Sequence, residues 1–198
     1  MIDLEKLTTE EVAKLDKNKV VIIPIGATEA HDHLLPINTD NLIAQSVAKD
    51  VAKETGCILG IPLLIGTRES SLSKPGNLGV SLETLQNMVT DLVISYLDNK
   101  FKKIFILNGH GFNQPSIREA LGLIRVNDKT IKIKSAGWWE FSSRKVPHSG
   151  KVEAGIALAC QNNFGRDKAT DHKIITKNGI RDRQEIIVNM KKWLQTEW

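Results

Sequence analysis

Disulfide scaffolds need cysteine and base-stacking surfaces need aromatic side chains, and this chain is poor in both. Of its 198 residues only two are cysteine, Cys57 and Cys160. Both stand in apolar stretches, Gly56-Cys57-Ile58-Leu59 and Leu158-Ala159-Cys160, a setting that favours small core side chains over a disulfide. There is one tyrosine and there are five phenylalanines. The lysines are scattered, so the formal net charge of +4 is mild basicity without the patch that a nucleic-acid footprint requires. No apolar run approaches the roughly 20 residues that cross a bilayer, and Met1-Ile2-Asp3-Leu4-Glu5-Lys6 lacks the basic-then-apolar profile of a secretory signal. The expectation is a cytoplasmic protein that engages neither nucleic acid nor membrane.

Disorder is excluded by 41% hydrophobic and 25% charged residues, ordinary globular usage. Low-complexity tracts, repeats and Gly/Ser linkers are missing too, so one domain spanning 1–198 is expected. Short apolar runs alternate with amphipathic stretches. Lys19 to Ile25 reads as a buried strand, β-branched on both faces. From Asp40, Leu42, Ile43, Val47 and Val51 recur at helical spacing until Gly56. Cys57 to Ile65 reads as a second strand. Leu82, Leu85, Met88, Val89, Leu92, Val93 and Tyr96 mark a helix with Ser81 as its N-cap.

A third strand covers Lys103 to Leu107, and the helix after it starts near Pro115 and turns Ile117, Ala120, Leu121 and Ile124 inward. Thr130 to Lys134 alternates like an edge strand. Helices from about Val152 to Asn162 and through Ile186, Ile187, Met190, Trp193 and Leu194 complete the set. Strands alternating with helices predict an α/β fold with a mainly parallel sheet covered on both sides. In such folds the loops after the strands gather along one edge, where ligands bind.

Histidines fall in those loops. After the first strand comes Gly26-Ala27-Thr28-Glu29-Ala30-His31, followed by Asp32, His33 and, at the next helix start, Asp40. Glu29 and His31 are two apart, so an extended segment presents them on one side. One imidazole and two carboxylates suit Zn2+, Mn2+ or Fe2+, and the absence of cysteine from this group argues against a thiolate site. The plainer alternative has Asp40 capping its helix and His31 bonding a loop carbonyl.

The loop after the third strand, Asn108-Gly109-His110-Gly111-Phe112-Asn113, flanks a histidine with glycines that allow close backbone approach. It lacks the spacings of nucleotide-binding loops. A third group, His148-Ser149-Gly150-Lys151-Val152-Glu153, follows Trp138-Trp139. Glu153 suits a helix dipole as well as a metal, and the tryptophans suit a core as well as a substrate wall. His172 lies in a polar stretch and reads as surface.

Taken together, these groups resemble the creatininase (creatinine amidohydrolase) family in three motifs. They are a G-[ST]-x-E-x-H segment running to T-D, here Gly26 to Asp40, an N-G-H-G-x-N loop, here Asn108 to Asn113, and H-[AS]-G-x-x-E-[TA], here His148 to Ala154. The resemblance implies a three-layer α/β/α sandwich, a homo-oligomer such as a hexamer, and two divalent metal ions. It implies Glu29, His31, Asp40 and His110 as metal ligands, with Asp40 the bridge. Creatininase itself has a glutamate two residues after the loop histidine, where this chain has Phe112, and Glu153 is taken as the substitute ligand.

Other departures bear on the substrate. Asp32 replaces a glycine, Leu34 a histidine, and Ser70-Ser71-Leu72-Ser73-Lys74-Pro75-Gly76-Asn77 replaces a segment with an acid and a histidine. The chain is also shorter than typical members. The resemblance implies a metal-dependent amidohydrolase that opens a non-peptide C–N bond in a small-molecule amide (cyclic amide, lactam or formamide). His148 and Glu153 are the expected catalytic residues, and Trp138, Trp139 and Ser71 the substrate contacts. Alternatives are a deformylase acting on a ribosylaminopyrimidine phosphate in flavin or deazaflavin synthesis, with Arg68 or Lys74 at the phosphate, a peptide-trimming branch, and a metal-free scaffold.

Overall fold

Five parallel strands form the centre of the computed structural model, which describes residues 1–31, 35–68, 74–124, 128–160 and 171–198. They are β1 (Ile2–Asp3), β2 (Val20–Ile25), β3 (Ile58–Leu59), β4 (Lys103–Asn108) and β5 (Lys132–Gly137), side by side in the order β1-β3-β2-β4-β5. The helices are α1 (Thr9–Ala13), α2 (Thr39–Thr55), α3 (Leu82–Asp98), α4 (Gln114–Leu123), α5 (Lys151–Cys160) and α6 (Asp171–Glu197).

Every residue of β2 is buried, because both faces of the sheet are covered. Val20 and Ile22 point into a cluster with Phe105, Leu107 and the apolar sides of α2, α5 and α6. Val21, Ile23 and Ile25 point the other way, to Leu85, Val89 and Val93 of α3 and Ile117 and Ala120 of α4. Alternate side chains of a strand leave opposite faces, so one apolar run nucleates two cores. The result is the expected three-layer α/β/α sandwich.

Helix ends follow the local chemistry. Ser81 Oγ accepts from the Thr84 N–H at 3.1 Å, and α2 stops at Gly56, whose φ of 75° is the left-handed conformation of a C-terminal glycine. Three details differ from expectation. The N-terminal β1 and α1 were not anticipated. The run Cys57 to Ile65 contributes only a two-residue strand, since Pro62 interrupts it and the chain continues beside β2 through single bonds such as Leu63 N–H to Pro24 O at 3.0 Å. The edge strand is displaced to Lys132–Gly137, because Thr130 closes a turn on Asp128.

Cys57 and Cys160 are both free. Among the described residues no helix is long and apolar enough to cross a membrane. Ser71, Asp32, His33 and Leu34 lie outside the described residues, as do Asn162 and the side chain of His172.

Candidate metal centre

Register places the motif-bearing loops together. Ile25, the last residue of β2, pairs with Asn108 of β4, which pairs with Gly137 of β5, so all three chains leave the sheet at one edge. The β2 loop is closed by Glu29 N–H to Ile37 O at 2.9 Å and braced by Leu78 N–H to Thr28 O at 2.9 Å. Asn77 Oδ1 accepts the Ala30 N–H at 2.6 Å. These bonds fix Glu29 and His31, while the first turn of α2 presents Asp40.

The loop after β4 comes in close because Gly109 has no side chain. A Cβ there would stand 2.5 Å from the Asp40 carbonyl oxygen and 3.0 Å from Ala44 Cβ. Among the described residues nothing lies near the corresponding position of Gly111. The close approach is therefore made by Gly109 alone, against the helix that bears Asp40.

The side chains converge. His110 Nδ1 lies 3.0 Å from Glu29 Oε1 and 3.0 Å from Asp40 Oδ2. His31 Nε2 lies 3.3 Å from Asp40 Oδ1, 3.9 Å from Glu153 Oε2 and 4.0 Å from Glu29 Oε1. His148 Nδ1 reaches to 3.4 Å from Glu29 Oε1, and its ring centroid is 4.8 Å from that of His31. Three overlapping donor sets result: Glu29, Asp40 and His110; His31, Asp40 and Glu153; Glu29, His31 and His148. Atoms bound about 2 Å from one cation stand roughly 3 Å from each other, and these separations are of that size.

The donors also have valence to spare. His31 Nε2, Asp40 Oδ2 and His110 Nε2 are buried with no hydrogen-bond partner among the described residues. An orphaned buried polar atom is costly unless something satisfies it. Nitrogen and oxygen donors, in overlapping trios, fit divalent transition metals.

Charge in the metal-free chain is arranged accordingly. Burial alone would hold His31 and His110 neutral, but the closely approaching carboxylate of Asp40, joined at His110 by that of Glu29, outweighs it and pushes each imidazole up to about 9. Burial works against ionised Asp40 too, yet its two imidazole neighbours hold it below the usual carboxylate range. Glu153 is pushed up by burial, partly offset by His31. Asp40 does not cap α2, whose N-terminal Asn38 makes no side-chain cap.

Glu29, His31, Asp40, His110, Glu153 and His148 are therefore brought together. Trp138 is only 1% exposed and sits in the core beside Phe141, and Trp139 is half-buried against it with ring centroids 5.9 Å apart. Phe112 is 48% exposed, its ring 5.6 Å from that of His110. One supporting residue went unremarked in the sequence. Asn41 Nδ2 holds the carbonyls of Ala27 and Leu64 at 2.8 and 2.9 Å. Asn113, the last residue of the N-G-H-G-x-N motif, joins three loops by accepting from Thr67 N–H at 2.9 Å and donating to Gly26 O at 2.9 Å.

The Creatininase family profile, described as creatinine amidohydrolase, matches residues 5–193. The chain belongs to the creatininase family. A 3-dehydro-scyllo-inosose hydrolase of Thermotoga maritima is 29% identical over 99 residues, half of this chain and 32% of that protein. A 2-amino-5-formylamino-6-ribosylaminopyrimidin-4(3H)-one 5'-monophosphate deformylase of Methanobrevibacter ruminantium is 30% identical over 80% of this chain and 66% of its own length. This member thus spans less than two thirds of either relative. A solved mutant creatininase of Zn–Zn type superposes with a TM-score of 0.84 at 18% identity, covering 98% of this chain and 97% of that one. At that identity the likeness establishes the creatininase fold.

Proposed function

We propose that this chain is a metal-dependent amidohydrolase that opens a non-peptide C–N bond, in a cyclic amide, lactam or formamide, with two divalent cations. The observation that carries the reading is the split of one buried carboxylate: Asp40 turns Oδ1 to His31 and Oδ2 to His110. Glu29, Asp40 and His110 would hold one cation, and His31, Asp40 and Glu153 the other. When bound, such ions supply an acidified water and a Lewis acid for the carbonyl. Zn2+, Mn2+ and Fe2+ all suit this donor set.

The remaining work belongs to the chain. His148 is the exposed imidazole of the group, its side chain 56% accessible, and its position at the open side suits proton delivery to the leaving nitrogen, a role worth about 10²–10⁴-fold. Glu29 Oε1, 3.4 Å from His148 Nδ1, orients that ring. Ser149 N–H donates to Glu153 Oε2 at 2.6 Å, which aims the carboxylate at His31. Trp139, half-buried, is assigned to the substrate wall with Ser71, and buried Trp138 supports it from behind. Self-association and a cytoplasmic setting belong to the same reading and rest on the resemblance and the sequence.

Deformylation of a ribosylaminopyrimidine phosphate is the second reading, favoured by the 30% identity to the Methanobrevibacter deformylase across 80% of this chain. Arg68 and Lys74, both exposed, are then assigned to the phosphate. The deciding experiment measures metal content and turnover together, comparing formate release from the formamide with ring opening of creatinine. Asp40→Ala should lose both metal and turnover. Full activity with one equivalent of metal gone would refute the bridging role, and a protein that takes up no metal on reconstitution would favour a scaffold.

A further inference from the structure

His148 belongs to no helix or strand. It occupies the second position of a turn closed by Gly150 N–H to Pro147 O at 3.0 Å. Ser149, at the third position, has a φ of 54°, a left-handed conformation that serine rarely adopts without outside support. The Ser149 N–H is the one that holds Glu153, so a single turn places both His148 and Glu153. The His148 side chain is more than half exposed, so packing does not fix it. Glu29 and His31 touch the ring on one side only, so its position over them depends on the backbone that carries it.

That backbone is fastened to α6. Asp182, Glu185 and Asn189 recur at i, i+3 and i+7, one face of the helix. Asn189 Nδ2 donates to Phe141 O at 2.8 Å, Ser143 N–H donates to Glu185 Oε1 at 3.1 Å, and Arg144 Nη1 donates to Asp182 Oδ2 at 2.8 Å. Of the three, Asp182 alone is buried, its side chain 3% exposed against 46% for Arg144. Exposed Arg181 stands 3.9 Å from Asp182 Oδ1, but only Arg144, at 2.8 Å from Oδ2, is within hydrogen-bond distance, and a carboxylate removed from water is held to the partner that bonds it. Beyond Arg144, Val146 packs on the core cluster and leads directly into the turn.

We propose that Asp182 is a positioning residue: through Arg144 it fixes the segment that holds His148 over Glu29. The inference rests on the hydrolase reading for its catalytic consequence and on geometry alone for its structural one. Two measurements on the metal-loaded full chain test it, using Asp182→Ala and the conservative Asp182→Glu.

Amide hydrogen exchange across residues 143–149 should quicken about tenfold or more in Asp182→Ala, with β2 and α2 unchanged. Turnover of amides with a poor leaving nitrogen should fall by about tenfold or more at unchanged metal content, whereas anilides with an acidic leaving amine lose less than about threefold, as expected when only proton delivery is displaced. Asp182→Glu should recover part of both. Should Asp182→Ala fail to fold, Arg144→Gln, altered at the exposed end of the pair, carries the same expectations. Unchanged exchange at 143–149, or equal losses for both leaving groups, overturns the proposal. A wild-type protein that hydrolyses no amide overturns the hydrolase reading instead, and the exchange result still decides the role of Asp182.

Discussion

His110 Nδ1 stands 3.0 Å from Asp40 Oδ2, and that oxygen is buried and takes part in no other hydrogen bond among the described residues. In the metal-free chain the pair shares the imidazole proton, and a cation taking its place is the proposed alternative. Asp40→Asn removes the charge with little change in volume. It should cut the metal content of the purified protein by at least one equivalent, read by elemental analysis, and abolish turnover. Retention of both equivalents would overturn the bridging assignment.

The metal-free protein should lose stability as pH rises from 6.5 to about 9. His31 and His110 are pushed up to about 9 from an ordinary 6.5. A group whose folded pKa is raised contributes stability in full below its unfolded pKa, and that contribution disappears as pH climbs through the folded value. Metal needs the unprotonated rings, so its affinity moves the opposite way. Thermal unfolding with and without chelator should show the two curves diverging across this window. A chelated protein equally stable at pH 6.5 and 9 would contradict the charge arrangement.

Gly109→Ala places a methyl group 2.5 Å from the Asp40 carbonyl oxygen. The loop must withdraw from α2 and take His110 with it. Overpacking of this kind costs about 1–3 kcal/mol, and metal affinity should drop alongside stability. Urea unfolding and a metal titration check both. Gly111→Ala, facing open space among the described residues, is the internal control and should be nearly neutral in stability.

Gly179→Ala acts from further away. Its Cβ would meet the Gly155 carbonyl oxygen at 1.9 Å, where α6 crosses α5 two residues after Glu153. The helices must separate, and the cost should reach or exceed the roughly 1–3 kcal/mol of ordinary overpacking. Chemical denaturation measures it, and a midpoint shift of less than about 0.5 kcal/mol equivalent would show that the helices slide apart freely.

Asn113→Ala leaves the Thr67 N–H and the Gly26 carbonyl without their partner. Each buried group so abandoned costs about 1–3 kcal/mol. The substitution should destabilise the chain and loosen the β2 loop, which hydrogen exchange at Gly26 and Thr67 would register.

Much of this was legible beforehand. β2 and β4 were readable because both faces are buried and the apolar run is unbroken. The helices showed through their three- and four-residue spacing, and Ser81 and Gly56 marked two of their ends. The candidate donors Glu29, His31 and His110 could be singled out because they occur in loops directly after strands of a parallel sheet, with Asp40 and Glu153 in the first turns of the helices that follow. The ends of β3 and β5 were not, since Pro62 and the Asp128–Thr130 turn decide them by competing with strand pairing. β1 and α1 were hidden as well: two residues of strand and five of helix carry too little periodicity to register.

The amino-acid order by itself determined which donors exist, which strands precede them and therefore which edge of the sheet they occupy. Chain direction in a parallel sheet leaves the loops no other edge. Tertiary structure alone decided which donors face one another, because those distances depend on close approaches between segments remote in sequence. The meeting of Gly109 with Asp40, of Gly155 with Gly179, and of Asp182 with Arg144 are such approaches. No local pattern encodes them, since each is a balance of packing and buried charge that exists only once the layers have closed.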